Sequence, residues 1–109
     1  MQDQLQITFR GMSPSPAIEL LVRERAERLA RGGSPIQRCH VVVEQPHHHQ
    51  HKGSAFSVRL DITTPDDEVV ITRAPEDHCG HEPLQSAIRG AFEAAARRLE
   101  ARVERRRGL

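Results

Sequence analysis

Residues 5–31 read LQITFRGMSPSPAIELLVRERAERLAR, and within them the hydrophobic period changes once, from two to helical. Leu5, Ile7 and Phe9 alternate with Gln6 and Thr8, which puts one face of a strand on a core and ends it near Arg10. Gly11 breaks the run. Ser13-Pro14-Ser15-Pro16 then offers hydroxyl oxygens for a helix N-cap and prolines that fit only a first helical turn. Ile18, Leu21, Val22, Arg25, Ala26 and Leu29 recur at helical spacing, while Glu19, Arg23, Glu27 and Arg31 fall elsewhere, and Gly32-Gly33 can close the last turn. A strand followed at once by an amphipathic helix predicts a helix laid over a sheet.

The rest of the chain extends that pattern. Pro35 precedes a β-branched run, Ile36 to Glu44, in which Cys39, Val41 and Val43 alternate with His40 and Val42, a second strand. Residues 45–54 hold no apolar side chain and contain Pro46 and Gly53, the composition of an exposed connection. Phe56, Val58, Leu60 and Ile62 alternate with Ser57, Arg59 and Asp61 as a third strand, and after Thr64-Pro65-Asp66-Asp67 the run Val69 to Thr72 makes a fourth. A second loop, Pro75 to Glu82, leads to Pro83 and a long helix with Leu84, Ile88, Ala91, Phe92, Ala95, Leu99 and Val103 along its inward stripe. The expected fold is α+β in the order β-α-β-β-β-α, a four-stranded mixed sheet with both helices on one face. Joining the first two strands through the first helix predicts a parallel pair with the usual right-handed crossover.

With 109 residues the sequence is expected to form a single domain spanning 1–109, its basic tail starting at about 104. Its apolar runs fall far short of the roughly 18 residues that cross a bilayer, and no charged, then apolar, leader opens it, so a cytoplasmic protein without membrane contact is expected. Cys39 and Cys79 are too few and too far apart for a disulfide framework and read as reduced thiols.

A formal net charge of +1 hides segregation. Residues 97–107 carry six arginines against Glu100 and Glu104, whereas residues 61–82 carry seven carboxylates against Arg73 alone. Such a dipolar chain orients toward a polyanion. Arg23, Arg25, Arg28 and Arg31 recur along the first helix, and Arg89, Arg97, Arg98, Arg102 and Arg105 along the last. Guanidinium groups pair bidentately with phosphates, and a spread of them without base-reading partners points to backbone recognition. The competing explanation is a solvated face of i,i+4 pairs, since Glu24, Glu27, Glu93, Glu100 and Glu104 are interleaved. The chain has no tryptophan or tyrosine, and Phe9, Phe56 and Phe92 all fall at inward positions, which disfavours base stacking and favours folded RNA as the target.

Enzyme chemistry finds no support. There is no phosphate-cradling Gly-rich loop, no nucleophile elbow and no paired carboxylates, so neither a catalytic residue nor a cofactor nor a small-molecule substrate is expected. Cys39 and His40 are neighbours on a strand and point to opposite faces, which rules them out as nucleophile and base. His47, His48, His49 and His51 in one loop, with His78, Cys79 and His81 in another, are candidate ligands for zinc or a similar ion, but their spacing matches no closed zinc motif. A solvated, weakly basic surface is the simpler account of them.

The chain resembles the ribosome hibernation promoting factors, also described as ribosome-associated inhibitors, subunit interface proteins or sigma-factor modulation proteins. The likeness spans nearly all of it and rests on Leu5-Gln-Ile-Thr-Phe-Arg10, on His40-Val-Val-Val-Glu44, and on Ala87-Ile88 followed by Arg98-Leu99-Glu100. Residues 43–53, 58–62 and Ala87-Ile-Arg-Gly-Ala-Phe92 are similar to a proteobacterial branch with His-rich loops. The resemblance implies a ribosome-bound stress and stationary-phase regulator on small-subunit rRNA near the decoding channel, blocking messenger and transfer RNA. It implies RNA contacts at Arg25, Arg28, Arg31, Arg98, Arg102, Arg105 and Arg106. Ala101 and Glu104 stand where many relatives keep a base, and no dimerisation domain is expected in this chain. Two other readings stay open: a metal-responsive module built on the His loops, and a protein-interaction domain using the uncovered sheet face.

Overall fold

The alternation of Leu5, Ile7 and Phe9 forms β1 (Leu5–Arg10) in the computed structural model, which describes residues 4–32, 35–45, 56–73 and 83–107. Gly11 turns the chain out of the strand at a φ of 71°, the left-handed region in which a Cβ is strained. Helix α1 (Pro16–Ala30) follows, capped by Ser15, whose Oγ accepts from the Ile18 N–H at 3.3 Å, with Pro16 in the first turn. Its last turn closes at Arg31, a right-handed cap whose N–H donates to the Glu27 carbonyl at 3.1 Å, and the Gly32 N–H donates to the Leu29 carbonyl at 3.1 Å. Gly33 lies outside the described residues.

Strands β2 (Arg38–Glu44), β3 (Ser57–Thr63) and β4 (Glu68–Arg73) complete one sheet in the order β1-β2-β3-β4. β1 pairs parallel with β2, and β2–β3 and β3–β4 pair antiparallel, as expected for a mixed sheet. The second strand starts at Arg38, two residues later than its apolar pattern suggests. Ile36 packs partly buried against the core ahead of it, and the Gln37 N–H still reaches the Thr63 carbonyl at 2.7 Å. Helix α2 (Leu84–Arg107) returns over the sheet. Among the described residues no helix is long and apolar enough to cross a membrane.

The core lies on one side of the sheet. Cys39, Val41 and Val43 of β2, Val58, Leu60 and Ile62 of β3, and Val69 and Ile71 of β4 meet Ile18, Val22, Ala26 and Leu29 of α1. From α2 they meet Leu84, Ala87, Ile88, Ala91, Phe92, Ala95 and Leu99. The period of two in the strands and of 3.6 in the helices thus converge on one apolar layer, and the alanines of α2 let it approach closely. The opposite sheet face is mostly polar, with Gln6, His40 and Asp61 in register across β1, β2 and β3 and the exposed Val70 beside them on β4.

Cys39 sits wholly inside this layer. Burial, with a smaller push from the Asp61 carboxylate, raises its thiol from 9.0 to about 12, so it is protonated and inert as a nucleophile. In the unfolded chain the thiol ionises near its ordinary value. Its contribution to stability is therefore intact below pH 9.0 and is lost as pH rises from there toward about 12. Between about pH 8 and about pH 10 the native protein should lose about 1.4 kcal/mol more than Cys39→Ala, read by urea unfolding of both. Parallel pH dependences would refute the assignment.

Candidate functional site

The basic side chains emerge from the flanks of two helices that pack against each other on the same sheet face. In α1 the buried stripe of Ile18, Val22, Ala26 and Leu29 forces the intervening arginines outward. Two of them are tied within the helix: Arg23 to Glu19 at 3.4 Å and Arg31 to Glu27 at 3.8 Å. The Arg31–Glu27 pair is one that the interleaved glutamates foreshadow, Arg23–Glu19 is a further pair of the same i,i+4 kind, and each is worth a few tenths of a kcal/mol. Arg25 is half-buried and Arg28 exposed, and neither has an ion-pair partner among the described residues.

In α2 two arginines one turn apart, Arg98 and Arg102, share a face and reach the edge of the sheet. Arg98 donates from Nη1 to the Val70 carbonyl at 3.5 Å. Arg102 donates from Nη2 to the Glu68 carbonyl at 3.4 Å and from Nη1 to the Asp67 carboxylate. Both carbonyls belong to β4, one of the two edge strands of the sheet, and outward backbone groups on an edge invite pairing with another chain. The guanidinium groups therefore occupy the Glu68 and Val70 carbonyls of that edge, with the Asp67 carboxylate beside Arg102. Arg89 and Arg97 are exposed. Arg105 and Arg106 continue the helical backbone toward Arg107.

Asp67 is held for this contact by its turn. The Thr64 Oγ1 donates to the Asp67 carbonyl at 2.9 Å and accepts from the Asp67 N–H at 3.1 Å, while the Thr64 N–H donates to the same carbonyl at 2.8 Å. The Asp67 Oδ1 accepts from the Glu68 N–H at 2.6 Å. The Arg102 hydrogen bond, the Glu68 N–H and the Arg102 charge, in that order, lower the Asp67 pKa from 3.8. A depressed carboxylate supports the fold above the unfolded value and loses that support as pH falls through the folded one, so the pair is intact at neutral pH. Since Asp67 is exposed and Arg102 only half-buried, salt screens it.

On the uncovered sheet face, His40 shares a 2.9 Å hydrogen bond between its Nε2 and the Thr8 Oγ1, and Arg59 pairs with Asp61 at 3.1 Å. The Arg59–Asp61 pair satisfies both of its charges within the face. Among the described residues no group of three His, Cys, Asp or Glu is placed to hold a metal ion. The candidate ligands His47, His48, His49, His51, His78, Cys79 and His81 lie outside the described residues. Arg25 and Arg28 thus stay open on one helix while Arg98 and Arg102 gather at a strand edge on the other. The carbonyl contacts of Arg98 and Arg102 have no signature in the sequence, because pairing between distant backbone and side chain depends on where α2 crosses β4.

The family model described as sigma 54 modulation protein / S30EA ribosomal protein matches residues 5–107. Among solved structures, the chain is similar to a ribosomal subunit interface protein from Coxiella burnetii. The TM-score is 0.67 at 14% identity, with 89% of this chain and 93% of that chain covered. It is also similar to the N-terminal domain of Protein Y from Thermus thermophilus, with a TM-score of 0.68 at 15% identity over 88% of this chain and 93% of that one. At these identities the likeness is one of fold. No curated protein matches the sequence significantly.

Proposed function

The chain belongs to the sigma 54 modulation protein / S30EA ribosomal protein family, and from that premise we propose that it is a ribosome-bound translation inhibitor. It grips small-subunit rRNA through phosphates near the decoding channel and keeps messenger and transfer RNA out. The observation that supports this best is the placement of both arginine-bearing helices side by side on one face of the sheet, where each offers basic side chains to a polyanion. Arg25, Arg28 and Arg31 of α1 and Arg98, Arg102, Arg105 and Arg106 of α2 are the contacts assigned to it.

The aromatic residues argue for the same kind of partner. Phe92 is buried, and Phe9 and Phe56 pack against the core, so no described aromatic side chain is offered as a stacking platform. Backbone phosphates and RNA shape remain as the recognised features. Such a role is occlusion rather than catalysis, and it places the protein in the cytoplasm with ribosomes.

Co-sedimentation with purified small subunits across a salt series tests this reading. If six to ten phosphates are neutralised, affinity should fall by roughly 10³–10⁵ between about 50 and 200 mM salt. Absence of binding at low salt would sink the proposal, and a flat salt response would remove its phosphate basis.

A further inference from the structure

Gly90 lies inside α2, where glycine is the weakest helix former after proline. Its backbone does not need the residue: among the described glycines only Gly11 has a positive φ. What glycine supplies is space. A methyl group at this position would lie 2.8 Å from the Arg73 Cζ and 3.1 Å from its Nε and Nη1, closer than such atoms approach. The guanidinium of Arg73, at the end of β4, is therefore seated directly on the bare helix surface at Gly90.

Arg73 is also the lone arginine in the acidic stretch 61–82, which holds no lysine, and its seat belongs to a larger arrangement. β4 and α2 run past each other in opposite senses, with Arg102 at Glu68, Arg98 at Val70 and Gly90 beneath Arg73. At 1.5 Å of rise per residue, these positions on α2 span about 18 Å of helix. We propose that Arg73, seated on Gly90, forms with Arg98 and Arg102 one anion-binding seam between β4 and α2 that takes the phosphate backbone of RNA. The seam extends the basic aspect beyond the helices onto the strand edge, and it explains why α2 keeps a glycine in its interior. Guanidinium groups suit this because their forked donors match phosphate oxygens while the side chain is held against protein. The inference rests on the reading of the chain as an rRNA-binding protein.

Native protein, Arg73→Gln, Gly90→Ala and the double variant are compared for small-subunit affinity across a salt series, with thermal unfolding of each. Arg73→Gln should weaken binding roughly tenfold at low salt and reduce the salt slope by about one. Gly90→Ala changes no charge and meets only the far end of a flexible side chain, so its unfolding temperature should hold or rise while affinity falls in the same direction. Because both changes act through one guanidinium, the double variant should bind no more weakly than Arg73→Gln alone. Native protein that binds while Arg73→Gln and Gly90→Ala match it overturns the seam and leaves the ribosomal reading standing. So does a Gly90→Ala loss that is undiminished in the Arg73→Gln background, since the helix itself would then be the cause. Native protein that fails to bind at any salt removes both.

Discussion

Replacing Arg98 and Arg102 together by glutamate is expected to lower small-subunit affinity by at least about 100-fold, because hydrogen bonds between charged groups contribute roughly 1.5–3 kcal/mol each and reversal adds repulsion. The change also touches the fold, since a carboxylate in place of the Arg102 guanidinium would face Asp67 and the Glu68 carbonyl that Arg102 now binds. Glutamine at both positions separates the two effects. It keeps donors for the β4 carbonyls while removing both charges, so affinity should still fall and the salt slope should flatten by about two. Asp67→Asn should act in the opposite sense, tightening binding by roughly a few-fold at low salt as one carboxylate leaves the arginine seam. Equal affinities for native protein and the double glutamate variant, measured in the same salt series, would remove Arg98 and Arg102 from the site.

Leu60→Ala should lower the unfolding free energy by about 2–5 kcal/mol, a large share of the roughly 5–15 kcal/mol that a domain of this kind has. Leu60 is 0% exposed and sits in β3 between Val41 of β2 and Ile71 of β4, in register, so truncation leaves a cavity at the centre of the apolar layer. Neighbours anchored in three strands cannot collapse into it fully. Leu20 offers the contrast, 69% exposed on the outer side of α1, where alanine should change stability by no more than about 0.5 kcal/mol. Urea unfolding of the two variants reads both numbers. A Leu60→Ala loss under about 1 kcal/mol would mean that the layer is not packed as described.

Only local rules were needed to read the fold. Alternation in Leu5–Phe9, Cys39–Val43, Val58–Ile62 and Val69–Ile71 depends on residues two apart, and the stripes of α1 and α2 on residues three and four apart. Even the parallel pairing of β1 and β2 follows from placing one helix between two strands of a single sheet. The start of β2 was less legible, since Ile36 is apolar enough to extend the pattern yet serves the core from outside the ladder.

The candidate site divides differently. Composition and spacing determined that the chain has two arginine-bearing helices, an acidic stretch before the second, inward phenylalanines and no catalytic constellation. The i,i+4 pair of Arg31 with Glu27 was legible for the same local reason, and Arg23 with Glu19 follows the same spacing though Glu19 lies outside the interleaved set of glutamates. Only the tertiary structure decided that Arg98 and Arg102 turn to the β4 edge, that Asp67 meets Arg102 across 35 positions of sequence, and that Arg73 rests on Gly90. Those contacts depend on the angle and height at which α2 crosses the last strand. That crossing is set by the summed packing of Leu84, Ile88, Ala91, Phe92, Ala95 and Leu99 on the sheet, a collective property that no short window of sequence contains.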